Sequence, residues 1–275
     1  MLSVKILEKT ELHVKCIIEN IPPSLVNALR RVIISEVPIL AIDEVIILDN
    51  TSVLYDEILA HRLAMIPIKT DLDKFPKIEE CEEGLVDPSL CQVRFELQVE
   101  AKEPMTVYSR DLKCEDPSIE VVYPDIPVVK LSKGQRIIIE AIAKLGRAKE
   151  HYKWQAGLAA YHYYPKVIIN NPKDKECFKK CVEVCPEALD YVDEIIIKDV
   201  EKCSFNKWKT CEQLCQGSIS VEWDKEKYVF WAESFGNMSI EALLKEAFRI
   251  LKKKFIDFMS EIESEISRLE ATTSS

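Results

Sequence analysis

The sequence predicts an α+β protein in which one sheet-plus-two-helices domain is interrupted by two insertions. Three observations carry this. The chain opens with two strands and a helix, too few residues to bury a core alone. It closes with strand-like residues and one long amphipathic helix, equally short of a core. Between them lie a proline-punctuated, strand-rich tract and a cysteine-dense stretch. The expected division is 1–40 with 218–275 as the discontinuous domain, 41–166 as a β-rich insertion and 167–217 as a compact Cys-rich insertion.

Leu12, Val14, Cys16 and Ile18 alternate as one face of a strand. Val4 and Ile6 begin an earlier strand, and Lys9-Thr10 make the turn. Next, Ser24 is the expected helix cap and Leu25, Ala28, Leu29, Val32 and Ile33 the buried stripe; Pro38 ends the helix. In the first insertion, Gln92–Val99 alternates strictly and Arg136–Ala143 is a second strand. Tyr55–Ile68 is helical, with Ile58, Leu59, Arg62, Leu63 and Ile66 on one face. After the cysteines, Ser218–Trp223 and Lys227–Trp231 read as a hairpin with Asp224 in its turn.

From Ser239 as cap, Ile240, Leu243, Leu244, Ala247, Leu251, Phe255, Phe258, Met259, Ile262, Ile266 and Leu269 form a continuous stripe. A helix running to Glu270 spans about 45 Å, more than a small domain needs, so the stripe predicts a partner. The alternative is a long helix lying on its own sheet.

With 47 acidic and 37 basic side chains the net charge is −10. Such a chain repels a phosphate backbone on average, so no autonomous nucleic-acid binding is expected. No run of eighteen apolar residues suggests a membrane span. The N-terminus lacks a signal-peptide pattern, so a cytoplasmic location is expected, where clustered cysteines are more often metal or redox ligands than disulfides. Scarce glycine with abundant Ile, Lys and Glu hints at a thermophile, whose interior tolerates disulfides.

Two blocks resemble a known family. Asn27-Ala28-Leu29-Arg30-Arg31 followed by SEVPILAIDEV is similar to the alpha motif of RNA polymerase assembly subunits. Tyr55-Asp56-Glu57-Ile58-Leu59-Ala60-His61-Arg62-Leu63-Ala64-Met65-Ile66-Pro67 matches a second block of that family. A looser third match runs from Gly146 to Trp154. A ferredoxin-like insertion ahead of the closing strands points to the archaeal branch, the alpha-like assembly subunits of archaeal DNA-directed RNA polymerase. The resemblance implies that the discontinuous domain is a dimerisation domain forming a heterodimer with small subunit L. That heterodimer would be the platform for subunits N and P and for the large catalytic subunits. It implies no catalytic residue on this chain, although the complex is a nucleotidyltransferase. Asn27, Arg30, Arg31, His61 and Arg62 would face partners, as would Leu251, Phe255, Phe258 and Ile262 on the closing helix. A solvated basic face is the ordinary alternative for Arg30 and Arg31.

Six of the ten cysteines lie between Cys177 and Cys215. Two-cluster ferredoxins carry C-x2-C-x2-C-x3-C-P twice, the fourth Cys of each run binding the other cluster. Cys181-x3-Cys185-Pro186 and Cys211-x3-Cys215 match the last two positions of such runs; the earlier positions are degenerate. Crossed ligation makes Cys185, Cys203 and Cys211 one ligand set. Three thiolates suit [3Fe–4S] in preference to [4Fe–4S], which needs a non-cysteine fourth ligand. Cys177, Cys181 and Cys215 would then form a degenerate second site, or a disulfide with one thiol left over. A cluster-less fold with disulfides or free thiols, and a zinc site, stay open as readings. If present, the cluster is expected to be structural. A ferredoxin-type electron carrier with a large accessory domain is the competing function.

Overall fold

The computed structural model of the chain describes residues 2–171, 174–192 and 195–273. The strands are β1 (Ser3–Lys9), β2 (His13–Glu19), β3 (Ile39–Asn50), β4 (Gln92–Glu100), β5 (Met105–Tyr108), β6 (Lys113–Cys114), β7 (Pro127–Leu131), β8 (Arg136–Gly146), β9 (Gly157–Ile169), β10 (Leu189–Tyr191), β11 (Ile195–Ile197) and β12 (Ile219–Ser234). The helices are α1 (Pro23–Ser35), α2 (Asp56–Ala64), α3 (Ile78–Glu82), α4 (Lys175–Val184), α5 (Phe205–Leu214) and α6 (Ile240–Thr273). The chain divides into two compact units, one of residues 1–9, 14–28 and 160–231, the other of 10–13, 29–159 and 232–275. No described helix is long and apolar enough to cross a membrane.

The first unit is organised by a sheet of order β1-β2-β12-β9. β1 and β2 are antiparallel, from Ser3 opposite Glu19 to Lys9 opposite Val14, with an irregularity at Ile6/Glu8. Val14, Cys16, Ile17 and Ile18 are buried, whereas Val4 and Ile6 on the edge strand are exposed. The predicted hairpin around Asp224 does not form: β12 runs unbroken from Ile219 to Ser234. Asp224-Lys225-Glu226 supplies none of the glycine or asparagine that a tight primed turn requires. The Asp224 carboxylate instead accepts the Glu226 N–H at 2.9 Å. Tyr228, fully buried, packs edge-on to Tyr161 with ring centroids 5.7 Å apart.

Helix α1 starts at Pro23, so Ser24 sits inside the first turn and is not the cap. Proline fixes the first helical φ and lacks an N–H that would go unpaired there. The Pro22 carbonyl accepts the Leu25 N–H at 3.1 Å. The buried stripe is shifted by one position at its start: Val26, Leu29, Val32 and Ile33 are buried, and Leu25 is exposed.

The second unit holds an antiparallel sheet of order β3-β8-β4-β6. β8 lies between β3 and β4, with Ile139 opposite Ile47 on one side and Leu97 on the other. Period-two alternation places Val93, Phe95 and Leu97 of β4 and Ile137, Ile139, Ala141 and Ala143 of β8 in the core. Leu59, Leu63 and Ile66 from α2 and the turn after it join that core, while Ile58 is exposed. β5 and β7 form a separate pair. Asn237 binds the chain on both sides of a loop: its Nδ2 donates to the Ile68 carbonyl at 2.8 Å, and its own carbonyl accepts from Thr70 N at 2.7 Å.

The third sequence block has a packing reason. Gly146 ends β8 where a Cβ would come within 2.3 Å of the Trp154 ring. Trp154 is buried and its Nε1 donates to the Lys144 carbonyl at 3.1 Å. Lys153 lies over the same ring and pairs with Asp43 at 2.6 Å. Gly146 and Trp154 are thus a matched pair within the GRAKEHYKW segment.

Candidate functional site

The Ser239 hydroxyl caps α6, accepting the Ala242 N–H at 3.2 Å. Ile240, Leu243, Ala247 and Ile250 on the first three turns are buried in the second unit, and Leu251 is half-buried. From Lys252 to Glu270 every residue is exposed. Phe255, Ile256, Phe258, Met259, Ile262, Ile266 and Leu269 therefore stand in solvent, Phe258 at 63 % of its full exposure. Singly exposed apolar residues are ordinary; a contiguous row of them marks an interaction surface.

The base of α6 is tied down by charge. Lys254 pairs with Glu36, and Lys253 lies 3.7 Å from Glu79. Glu79 also accepts from Arg147 Nη2 at 2.9 Å, and Arg147 Nη1 spans both oxygens of Glu82 at 2.9 and 3.0 Å. Arg147 is buried, so α3 and the end of β8 are clamped by a guanidinium with little water around it. In the sequence Arg147 belongs to a loose motif; only the fold reveals its burial.

The polar residues expected to meet partners are distributed over two helices. On α1, Arg31 is exposed while Asn27 and Arg30 are half-buried. On α2, His61 and Arg62 are both exposed, but Arg62 Nη2 already donates to the Pro127 carbonyl at 2.6 Å. That bond fixes one edge of its guanidinium to β7 and leaves the rest accessible.

In the first unit all six clustered cysteines are buried in one core with Phe178, Ala188, Leu189, Trp208, Ile219 and Val221. Asp174 caps α4 by accepting the Cys177 N–H at 3.1 Å and also accepts from Ser218 Oγ at 2.6 Å. Ser204 caps α5, and Trp208 Nε1 donates to the Val200 carbonyl at 3.1 Å. Cys177 and Cys181 are one helical turn apart on α4; Cys211 is one turn before Cys215, the residue that ends α5. Disulfides join Cys177 to Cys215 and Cys185 to Cys203. Cys181 and Cys211 are free thiols. Cys181 Sγ lies 3.1 Å from Cys215 Sγ. Each free thiol points at the other helix: Cys181 Sγ toward the Cys211 carbonyl at 3.6 Å, Cys211 Sγ toward the Cys181 carbonyl at 3.7 Å. Pairing of the two thiols, with burial behind it, raises the Cys181 pKa, and the same thiol–thiol pairing lowers that of Cys211 against its burial.

The sulfurs of Cys177, Cys181 and Cys215 lie within 4.8 Å of one another. Cys185, Cys203 and Cys211, the set expected to hold a cluster, are not brought together in this way among the described residues. Cys185 and Cys203 are bonded to each other, which leaves Cys211 as the only thiol of the three. A [3Fe–4S] cluster takes thiolates, so the donor set in this state does not fit it. The reason lies in pairing: the spacing that resembles ferredoxin runs also sets Cys185, the residue ending α4, opposite Cys203 at the start of the α5 segment.

A third disulfide joins Cys81 to Cys91, ten residues apart in the second unit. Both lie outside the cluster that runs from Cys177 to Cys215. The available signal is the Gly84 and Asp87-Pro88 turn residues between them, which bring the chain back on itself. Cys16 is a core thiol, pushed up to about 11 by burial.

Residues 42–160 match the family described as the RNA polymerase Rpb3/RpoA insert domain. Relatives named DNA-directed RNA polymerase subunit Rpo3 match over the full length. That of Pyrobaculum arsenaticum is 55% identical over 267 residues, covering 97% of this chain and 98% of the relative. That of Pyrococcus horikoshii is 39% identical, covering 96% and 98%, and that of Methanosphaera stadtmanae 36%, covering 95% and 100%. The chain belongs to the Rpo3 family, the archaeal alpha-like subunits of DNA-directed RNA polymerase.

Proposed function

We propose that this chain is a non-catalytic assembly platform of the polymerase: it pairs with small subunit L, and the pair receives subunits N and P and the large catalytic subunits. The single observation that carries the reading is the exposed apolar row on α6 from Phe255 to Leu269. A stripe of that length on a helix whose first turns are anchored by Ile240, Leu243 and Ala247 suits a helical partner laid along it. Residues 1–40 and 218–275 would form the dimerisation domain. Arg31, with Asn27 and Arg30 on the same helix and His61 and Arg62 on α2, would supply the polar contacts with the large subunits. The full-length likeness to polymerase subunits favours this reading over an electron carrier.

The Cys-rich residues serve this role as a covalently braced module. Two disulfides and the core around Phe178 and Trp208 hold α4 and α5. Co-expression with a candidate small subunit, followed by native mass measurement, tests the proposal. A one-to-one heterodimer is expected. A chain that stays monomeric beside every small polymerase subunit contradicts it.

A further inference from the structure

Helix α3 has only five residues, Ile78–Glu82. A free helix needs about 12–15 residues to persist in water, so α3 is held by what it touches. Its Ile78 side chain is buried. Further ties reach it from the sheet that contains β4 and β8. Cys81 is bonded to Cys91, the residue just before β4 begins at Gln92. Glu79 and Glu82 grip Arg147, the residue just after β8 ends at Gly146. β4 and β8 are neighbours, with Gln92 opposite Lys144. The disulfide and the guanidinium thus fasten one short helix to adjacent strand ends, and each holds the geometry that the other needs.

The Cys81–Cys91 bond also differs in access from the disulfides of the Cys-rich module. Cys81 and Cys91 are both half-buried, and none of the residues from Glu82 to Leu90 is buried. Cys177, Cys185, Cys203 and Cys215 are each 5 % exposed or less. Thiol–disulfide exchange requires an attacking thiolate to reach a sulfur, so among the described disulfides this one is open to a soluble dithiol.

We propose that Cys81–Cys91 is a redox-sensitive lock on the α3 clamp: the disulfide holds Glu79 and Glu82 against Arg147, and a dithiol reductant that opens it releases them. Two electrons and two protons pass from the dithiol, which becomes a disulfide, to the two sulfurs, which become thiols. The end of α3 then loses its covalent tie to the start of β4. Lys253 at the foot of α6 lies 3.7 Å from the Glu79 oxygen that Arg147 binds. Release therefore reaches the helix that carries the exposed apolar row. The lock does not depend on what pairs with that row.

The test uses the full chain, without a partner, equilibrated at fixed ratios of reduced to oxidised dithiothreitol. Differential alkylation and mass measurement of the segment carrying Cys81 and Cys91 give the fraction reduced. Coupling is reciprocal: if the disulfide holds the clamp, the clamp holds the disulfide. Arg147→Ala should therefore shift the Cys81–Cys91 equilibrium toward the dithiol by at least about fivefold, the lower end of ordinary coupling between sites. Glu82→Gln should shift it in the same direction by less, and serves where Arg147→Ala fails to fold. The Cys177–Cys215 and Cys185–Cys203 equilibria should not move. Hydrogen exchange reads the release directly. The Glu83 and Leu85 amides, which donate to the Glu79 and Glu80 carbonyls at 2.9 Å, should exchange faster by at least about tenfold in Cys81→Ser/Cys91→Ser than in the oxidised chain. Unchanged Cys81–Cys91 equilibria in the clamp variants overturn the proposal. So does an equal shift in every disulfide, which would mark general loosening, or α3 amides that exchange alike with and without the bond.

Discussion

Arg147 Nη2 donates to Glu79 Oε1 at 2.9 Å while its Nη1 spans the Glu82 carboxylate, so one buried guanidinium joins the end of β8 to two carboxylates of α3. Lys253 of α6 approaches the same Glu79 oxygen at 3.7 Å. The other oxygen, Oε2, is buried without a hydrogen-bond partner among the described residues, which makes Glu79 costly to leave unpaired. Arg147→Ala is expected to destabilise the chain by about 3 kcal/mol, and Arg147→Lys should recover only part of that because one ammonium cannot fork across two carboxylates. Denaturant unfolding of the three proteins measures both.

The same cluster sets a pH dependence. Burial raises the Glu79 pKa, but its own backbone N–H and the cations Lys253, Arg147 and Arg249 outweigh burial and hold it below the usual carboxylate range. A carboxylate lowered on folding contributes stability in full above its unfolded value, about 4.3, and loses it as pH falls through the folded value. Acid unfolding should therefore begin at higher pH in the native chain than in Glu79→Gln, once the constant loss from the substitution is subtracted. Parallel pH–stability curves would count against this assignment.

Gly146→Ala places a methyl against the Trp154 ring, where an ideal Cβ meets ring carbons at 2.3 and 2.4 Å. Overpacking of this kind typically costs about 1–3 kcal/mol. Trp154 fluorescence should shift in the same variant as the ring moves from its bond with the Lys144 carbonyl. An unshifted spectrum with unchanged stability would show that the strand end yields instead.

The Cys81–Cys91 bond closes a short loop, for which chain entropy allows up to about 3 kcal/mol. Cys81→Ser/Cys91→Ser should lower the unfolding midpoint under oxidising conditions. Under reducing conditions the variant and the unaltered chain should converge.

Much of the architecture is legible in the sequence because periodicity is a local property. Strict alternation places β4 and its buried face, the apolar run Arg136–Ala143 places β8, and Ser239 with its apolar stripe places α6 and its cap. Local signals also mislead in two places. Ser24 has the chemistry of a cap, but Pro23 already takes the first helical position. Asp224 suggests a turn, yet its neighbours lack the backbone freedom for one, and β12 passes straight through. The pairing of cysteines is less legible still. Spacing shows which sulfurs share a helix face, not which sulfur across the core they meet, so Cys185 and Cys203 read as ligands and are bonded to each other. Arg147 gives no sign of burial because its partners, Glu79 and Glu82, lie more than sixty residues away.

If the exposed row on α6 is the pairing surface, Phe258 and Ile262 stand within it, at 63 % and 43 % exposure. The most direct measurement is the dissociation constant for small subunit L of the full chain against its Phe258→Glu/Ile262→Glu variant. Because neither side chain is buried in this chain, the variant should unfold at the same midpoint as the original. Its affinity should fall at least a hundredfold, about 2.7 kcal/mol. A variant equally stable and equally tight in binding would contradict the account.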